Sequence, residues 1–379
     1  MPQKQEQLGL FNMAKAVLAS IPESLLTDAQ GQLLSSRENL PGHVKDYPEL
    51  RYMGSKHRLL PWIHGVLCTV KFETAADPFV GSGCVAYLLK AMGKRVIASD
   101  FMNFPTVLAY ATIANNSQRL DDATVKGLLK PSRGIGFVEK TFQGIFFTKD
   151  DLRFLDQVSR NIEVLDHPHK QALARAALIR SCLKKQPRGV FTISGDLSHY
   201  DDGRRDLRLS LEEHFLEQVE AFNRTVFDNG FRHIVRKADV FSLKPEGVDL
   251  VYLDPPYVPR SDDNCYVKRY HFVEGLSCYW KGLRIMENTR VKKIEKLYTP
   301  FSYRKTAIDA FERLFRLYRT SIIVLSYSSN GFPDLEELEK LMRRHKTNVT
   351  IYEKPHCYHF GTHDHVERAR VNEYLILGQ

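Results

Sequence analysis

Residues 72–100 combine a strand, a glycine turn, a helix and a second strand in 29 residues, "FETAADPFVGSGCVAYLLKAMGKRVIASD". We predict the two strands at 74–77 and 95–100. Further strand patterns lie at 231–239, 248–254, 320–329, 348–354 and 372–379, with helical patterns between several of them. Repeated strand–helix–strand order predicts an α/β fold with a parallel sheet covered on both faces. The last two strands are joined by an irregular loop, so we expect an antiparallel hairpin at one edge.

The spacing of these strands is uneven. About 130 residues separate Asp100 from Phe231, whereas a crossover needs only a few dozen. The excess, residues 116–230, is rich in helical patterns and is predicted to be an inserted domain. Residues 51–115 and 231–379 then form the domain that carries the sheet. Residues 1–50 are predicted to be an N-terminal helical extension, with an amphipathic helix at 11–20.

The composition of the chain indicates which kind of partner it binds and in which cellular compartment it is expected. The formal net charge is +9 and the pI is about 9.1, which favours a polyanionic partner such as nucleic acid. None of the six cysteines forms a C-x-x-C pair, so the sequence indicates neither a zinc ribbon nor a thioredoxin-like site. Scattered cysteines without a signal-peptide pattern predict a cytoplasmic protein with free thiols. No apolar run reaches the roughly 18 residues that span a bilayer.

The glycine turn points to a nucleoside-type ligand. Gly81 and Gly83 follow the first strand, where glycine lets backbone and ligand approach closely beside a helix N-terminus. A third glycine would fall at Ala86, and no P-loop lysine follows, which argues against a P-loop NTPase. Alone, the turn fits a ligand loop or a tight structural turn equally well. Asp100, at the end of the second strand, adds an acceptor for ribose hydroxyl groups.

The first strand also ends in an acid, Asp77. A nicotinamide dinucleotide carries a pyrophosphate that this carboxylate would repel. S-adenosylmethionine carries an ammonium and a sulfonium, which a carboxylate favours. Asp77 therefore points to S-adenosylmethionine as cofactor, although an acid here also fits a simple turn cap.

The stretch "VDLVYLDPPY" ends a buried strand in a carboxylate, two prolines and a tyrosine. The Asp254 carboxylate and the Pro255 carbonyl are placed to accept the two N–H bonds of an exocyclic amine. Pro255 and Pro256 fix two φ angles, which holds that carbonyl in one direction. Tyr257 offers a face on which a base can stack, for about 1–3 kcal/mol. A base in a duplex must be extruded to reach such a pocket.

These motifs, in this order, resemble the alpha-class, Dam-type adenine-N6 DNA methyltransferases. In that family a cofactor motif like "YMGSKHRLLPWI" precedes "DPFVGSG", and a target-recognition insertion and then DPPY follow. The resemblance covers about 51–115 and 231–379. It implies a Rossmann-like, S-adenosylmethionine-dependent methyltransferase fold. It also implies that the enzyme acts on double-stranded DNA, either in a restriction–modification system or in the modification of phage or host DNA. A cognate restriction endonuclease is then a functional partner, and we expect a monomer.

The resemblance also implies roles for individual residues. Tyr52 and Lys56 match the aromatic residue and the lysine of the family's cofactor pocket, although the family more often has tryptophan where Tyr52 stands. Asp100 matches the ribose-binding acid and Asp254 the catalytic acid. The implied cofactor-binding set also includes Asp77, Phe79, Gly81, Gly83, Asp239 and Val240, the last two from "KADVFSL", a segment that resembles the one bracketing the cofactor's adenine.

Basic clusters supply candidate DNA contacts, because lysine and arginine neutralise phosphates. The candidates are Arg180, Lys184, Lys185, Arg188, Arg204, Arg205, Lys268 and Arg269. A solvated helix face would show the same pattern. The tail "KPHCYHFGTHDHVERAR" is rich in histidine, but its spacing fits no standard zinc pattern, so no metal is expected.

Three functions stay open at this point. One is adenine-N6 methylation of DNA. A second is transfer to RNA, to cytosine N4 or to a glutamine amide, although serine is usual in place of Asp254 in cytosine-N4 enzymes and asparagine in glutamine-amide enzymes. A third is a nucleic-acid-binding module with a decayed site, which the intact Asp254, Tyr257, Gly81 and Gly83 disfavour.

Overall fold

The computed structural model describes residues 40–131, 134–187, 189–192, 203–258, 265–357 and 370–379. The predicted helix at 11–20 therefore lies outside the described residues, as do Arg188 and three of the tail histidines. Within the described ranges, no helix is long and apolar enough to cross a membrane.

A single mixed sheet of seven strands organises the fold. The strands are β1 Thr74–Asp77, β2 Arg95–Asp100, β3 Ile234–Lys237, β4 Leu250–Leu253, β5 Ile322–Ser328, β6 Val349–Cys357 and β7 Arg370–Gly378. Their order is β3-β2-β1-β4-β5-β7-β6. The first five strands in that order are parallel, and β7 runs antiparallel to both β5 and β6. The predicted α/β fold with an antiparallel edge hairpin is confirmed.

The α-helices in the described ranges lie before β1 and between successive strands. They are α1 Leu60–Leu67, α2 Cys84–Ala91, α3 Asn103–Thr112, α4 Asp122–Leu128, α5 Phe137–Phe142, α6 Lys149–Glu163, α7 Pro168–Lys185, α8 Arg205–Arg208, α9 Leu211–Arg224, α10 Tyr266–Ser277, α11 Arg304–Leu317 and α12 Leu335–Arg343.

Both faces of the sheet are covered because side chains alternate along each strand. In β4, Leu250 and Tyr252 point to the face that packs against α1 and α2. Val251 and Leu253 point to the other face, against α11 and α12. A strand buried on both faces reads as a continuous apolar run, which explains why "LVYL" was recognisable in the sequence.

A third apolar core lies outside the sheet and is built of helices. It unites α3 with α4–α7 and α9, and it also takes in α10 and the later residues Val291 and Ile294. Residues after the DPPY motif thus complete the core of the helices in 116–230. The domain boundaries stay a prediction, but the helical core is wider than that insertion.

Glu274 ties α10 to the loop that follows β2. Its carboxylate accepts the backbone N–H groups of Asn103 and Phe104, at 2.8 and 3.0 Å, and the Asn103 side-chain amide at 2.7 Å. Glu274 is 1% exposed. A buried anion at a helix N-terminus is stabilised by those N–H groups. The contact fixes α3, and with it the end of β2, relative to the helical core.

Candidate active site

Three acids from neighbouring strands meet at the carboxyl edge of the sheet. Asp77 and Asp100 are the last residues of β1 and β2, and Asp254 directly follows β4. These strands are adjacent in the sheet, and parallel strands present their carboxyl ends on one edge, where open α/β folds form ligand sites. Burial raises the pKa of Asp77 well above its usual range, with the Asp254 charge as the next cause. Burial and crowding disfavour the charged forms of these carboxyl groups, and a cationic ligand beside them would favour ionisation again.

Lys56 lies against Asp254 in the centre of this edge. Its ammonium nitrogen is 2.9 Å from Asp254 Oδ1 and 2.8 Å from Oδ2, and it also donates to the Gly54 carbonyl at 2.9 Å. Lys56 is 3% exposed. Burial raises the pKa of Asp254, and the Lys56 charge opposes that rise. The structure thus places Lys56, predicted in the cofactor pocket, directly on the predicted catalytic carboxylate.

Tyr257 is held between three side chains. The Lys56 ammonium lies 5.0 Å from the centre of its ring, and the Tyr327 ring meets it edge-on at 4.7 Å. Its hydroxyl donates to Glu373 Oε2 at 3.2 Å. Glu373 lies on β7 and is fully buried. Sequence reasoning missed Glu373, although a lone acid in the otherwise apolar strand "NEYLILGQ" was a visible signal.

The glycine turn has a structural requirement of its own. Gly81 and Gly83 have φ angles of +46° and +80°, in the left-handed region. A Cβ on Gly81 would lie 3.1 Å from the Tyr52 ring, and one on Gly83 would lie 2.4 Å from the Tyr47 hydroxyl. That hydroxyl donates to the Ser82 carbonyl at 2.6 Å. The turn therefore needs glycine both for its backbone conformation and for close tyrosine packing, whatever ligand it contacts.

Asp100 faces the turn from the end of β2. Its carboxylate accepts the N–H of Gly81 at 3.1 Å and that of Met102 at 2.9 Å. Burial raises the pKa of Asp100 to about 7, in spite of these hydrogen bonds. Without a ligand, this carboxyl group is therefore partly protonated at neutral pH.

A pocket with aromatic walls lies beside Asp100 and contains the predicted adenine-bracketing segment. Asp239 and Val240 line it together with Phe79, all three predicted as cofactor contacts. The rest of the lining includes Pro78, Phe101, Phe241, Thr299, Pro300 and Phe301. Phe301 meets the Phe79 ring edge-on at 5.6 Å and lies nearly parallel to Phe241 at 6.0 Å. The contribution of residues 299–301 was missed, because they belong to a long connection without a recognisable motif.

Tyr52 packs against two tyrosines of helix α10. Its ring lies parallel to that of Tyr270 at 5.1 Å, and Tyr266 stacks on it at 5.7 Å. The Tyr270 hydroxyl accepts the N–H of Met53 at 2.7 Å. The helix after the DPPY motif thus positions the loop that carries Tyr52 and Lys56.

The predicted DNA-contacting lysines on α7 form ion pairs within the protein. Lys184 lies 3.1 Å from Asp206, and Lys185 lies 3.2 Å from Asp151. The next helix supplies a similar pair, since Arg205 binds Glu217. A side chain held in this way has to give up an internal partner to bind a phosphate.

Two further predicted DNA contacts, Arg180 and Arg204, are also held by protein groups. Arg180 donates to the Glu49 carbonyl and to Gln218, and Arg204 donates to the Pro187 carbonyl at 2.7 Å. Lys268 and Arg269 are half-buried on α10. Contact of all these residues with DNA stays a prediction.

Four features together define an amino-methyltransferase: the parallel strands of the sheet, the glycine turn after β1, the acid that ends β2 and the Asp-Pro-Pro-Tyr segment after β4. Residues 52–278 match the family model of the D12 class N6 adenine-specific DNA methyltransferases. The chain belongs to this family and is an adenine-specific DNA methyltransferase, so the suspected resemblance is confirmed. Methyltransferases of this kind in general take their methyl group from S-adenosylmethionine.

Several curated relatives support the assignment. The chain is 32% identical to the Type II methyltransferase M2.HphI of Haemophilus parahaemolyticus over 326 residues, 82% of this chain and 92% of that protein. It is 25% identical to the modification methylase LlaI of Lactococcus lactis subsp. lactis over 78% of its length, and 24% identical to the Type II methyltransferase M.FokI of Planomicrobium okeanokoites over 87%. The matches span only 49% and 52% of those two proteins.

Proposed function

We propose that the Asp254 carboxylate and the Pro255 carbonyl accept the two N–H bonds of the target adenine's amino group. One arrangement carries this proposal: a half-buried carboxylate at the carboxyl end of β4, beside a tyrosine face and next to the strand ends that carry Asp77 and Asp100. Two acceptors draw the nitrogen lone pair out of conjugation with the ring and aim it at the methyl group. This chemistry needs orientation more than a strong base.

The cofactor residues fit S-adenosylmethionine by the chemistry of their donor set. A cationic ammonium or sulfonium group beside Asp77 favours the ionised form of that carboxyl group, which then pairs with it. Asp100 supplies an acceptor for the ribose hydroxyls. Phe79, Val240 and Phe301 supply apolar walls for an adenine, with Asp239 at the rim. When bound, S-adenosylmethionine supplies an electrophilic methyl group on a positively charged sulfur.

Lys56 holds Asp254 for this task. An ammonium within 2.9 Å of both carboxylate oxygens favours the ionised form, which accepts hydrogen bonds. Each oxygen retains a second lone pair for the adenine amino group. Lys56 is therefore proposed to orient and ionise the catalytic acid, in addition to lining the cofactor pocket.

Ionisation of Asp100 predicts a pH-dependent affinity for the cofactor. The pKa of Asp100 in the folded protein, about 7, lies above its ordinary value. The protonated carboxyl group therefore stabilises the cofactor-free protein at low pH, and this contribution to stability is lost as pH rises through 7. Ribose hydroxyls donate to the charged form, so binding releases a proton. We expect the affinity for S-adenosylmethionine to rise roughly tenfold from pH 6 to pH 8, as measured by calorimetry. Asp100→Asn should bind more weakly and remove most of this dependence; an unchanged pH profile in that variant would contradict the assignment.

The hydrogen bond from Tyr257 to Glu373 predicts a second effect. Tyr257 is proposed to stack on the extruded base, and Glu373 holds its hydroxyl. Glu373→Ala should therefore reduce kcat/KM for DNA about tenfold and leave cofactor binding unchanged. Glu373→Gln keeps a hydrogen-bond acceptor and should keep most of the activity. Tyr257→Phe lacks the same hydrogen bond. The double variant Tyr257→Phe/Glu373→Ala should therefore lose less transition-state stabilisation than the sum of the two single losses, by about 1 kcal/mol. Additive effects would show that Glu373 does not act through Tyr257.

The biological setting is proposed from the relatives. Their names describe Type II methyltransferases and modification methylases. We infer that this chain methylates a specific DNA sequence as the modification partner of a restriction endonuclease, acts as a monomer, and recognises its sequence through the helices of 116–230.

Labelled cofactor tests the reaction itself. Unmethylated DNA is incubated with the protein and S-adenosylmethionine tritiated in its methyl group, and the DNA is then hydrolysed to nucleosides. We expect the label in N6-methyladenine. Label in a methylated cytosine, or no label in DNA, would contradict the proposal.

A further inference from the structure

The 284–305 segment concentrates much of the chain's positive charge. It covers most of the connection between α10 and α11 and the first two residues of α11. Its 22 residues contain seven lysines and arginines and two glutamates, a net of five positive charges out of +9 for the whole chain. No motif in the sequence predicted a function for this segment.

A hairpin forms the first half of the segment. Ile285 and Ile294 form an antiparallel bridge, and the N–H of Met286 donates to the Lys293 carbonyl at 2.7 Å. Val291 and Ile294 are buried in the helical core and anchor the hairpin there. Arg284 and Arg290 are exposed, and Lys292 and Lys293 are half-buried. Arg284 forms an ion pair with Glu295 at 2.9 Å, and Lys292 forms one with Glu287 at 3.1 Å.

The second half of the segment leads from the hairpin to the active site. The Leu297 carbonyl lies 3.9 Å from the sulfur of Cys265, which directly precedes α10 and follows Tyr257 by eight residues. Two residues later, Thr299 begins the stretch that lines the aromatic pocket. The segment therefore spans from the helical core to the aromatic pocket.

Exposed aromatic rings flank this pocket-lining stretch in the chain. Tyr298 and Tyr303 are 47% and 45% exposed, and their ring centres lie 5.3 Å apart. The Lys296 ammonium lies 5.5 Å from the centre of the Tyr298 ring. Exposed aromatic rings that lie together form a patch, and such patches mark interaction surfaces. Cations interleaved with aromatic rings suit a nucleic acid, which offers phosphates and base faces together.

We propose that the 284–305 segment is a DNA-contacting surface beside the target adenine. The cations of the hairpin neutralise phosphates of the duplex that flanks the target. Tyr298 and Tyr303 stack on bases that become exposed when the adenine leaves the helix. DNA as the substrate follows from the family, and the proposal does not depend on the role of Asp254 in catalysis.

The salt dependence of DNA binding tests the cationic part. The test variant combines Arg290→Gln, Lys293→Gln and Lys296→Gln. The matched control removes three positive charges at the opposite, amino-terminal edge of the sheet, with the exposed residues Lys71, Arg95 and Arg319 each changed to Gln. Both are titrated against a fluorescent duplex at several salt concentrations.

The test variant should reduce the slope of log Kd against log salt by about two to three, since each lost phosphate contact removes about 0.9. Its Kd at 150 mM salt should rise at least about tenfold, with cofactor binding and Tm unchanged. The control should keep the wild-type slope. Equal slopes in test and control variants, or a loss of DNA binding only together with cofactor binding, would overturn the proposal.

Substitution Tyr298→Leu tests the aromatic part. The signal is the fluorescence of 2-aminopurine at the target position, which increases when the base is unstacked. We expect the fluorescence gain on binding to fall about fivefold or more, with the salt slope unchanged. A full gain in the folded variant would overturn the stacking role.

Discussion

Replacing Asp254 with alanine should abolish methyl transfer, with a loss of at least about 10³-fold in single-turnover rate, because preorganised hydrogen-bonding groups supply a large part of catalysis. Cofactor binding should stay within about threefold, since Asp77 and Asp100 remain. The variant also leaves the Lys56 ammonium buried without its carboxylate partner. Breaking a buried ion pair from one side costs about 3–5 kcal/mol, so lower stability has to be separated from lost chemistry.

A double variant makes that separation. Lys56→Met together with Asp254→Ala removes both charges, so stability should return towards that of the wild type. Activity should not return. Near-normal turnover in either folded variant would contradict the catalytic assignment. Recovery of activity together with stability in the double variant would mean that Asp254 serves the fold alone.

The second large effect concerns the glycine turn. Substituting Gly83→Ala should lower the free energy of unfolding by about 3 kcal/mol. The left-handed φ of +80° accounts for about 1–2 kcal/mol of this loss. Overpacking against the Tyr47 hydroxyl, 2.4 Å from the new Cβ, accounts for the remainder. Urea unfolding measures the loss.

Two controls divide this loss into its parts. Gly93 has a similar φ of +73°, but a Cβ there would meet nothing within 4 Å. Gly93→Ala should therefore cost only about 1 kcal/mol. In a Tyr47→Phe background, Gly83→Ala should cost less than in the wild type, because the contacted hydroxyl is gone. Equal costs at Gly83 and Gly93 would show that tyrosine packing imposes no requirement for glycine.

The parts of the fold that were predictable depend on local pattern. The bounds of β1 and β2 were predicted correctly, because an apolar strand ends in each case at an acid beside a glycine turn or helix start. The third strand was predicted at 231–239 but covers only Ile234–Lys237. Asp239 accepts the N–H of Phe241 and starts a short 3-10 helix instead, so local hydrogen bonding ended the strand early.

Long-range partners were not predictable. Lys56 and Asp254 are 198 residues apart, and nothing in either motif reveals that their side chains meet. The same applies to Lys184 and Lys185, whose pattern on α7 fits a solvated or DNA-binding face. Their partners Asp206 and Asp151 come from other elements of the helical region. A single sequence specifies which side chains are charged, but the tertiary fold decides which charges remain available.

The position of the target amino group tests the central proposal most directly. The measurement is a structure of the protein with duplex DNA that carries its recognition sequence and with a non-reactive cofactor analogue. We predict an extruded adenine on the Tyr257 ring, with its amino nitrogen about 3 Å from both the Asp254 carboxylate and the Pro255 carbonyl. An adenine that remains stacked in the duplex, or an amino group that contacts neither acceptor, would contradict it.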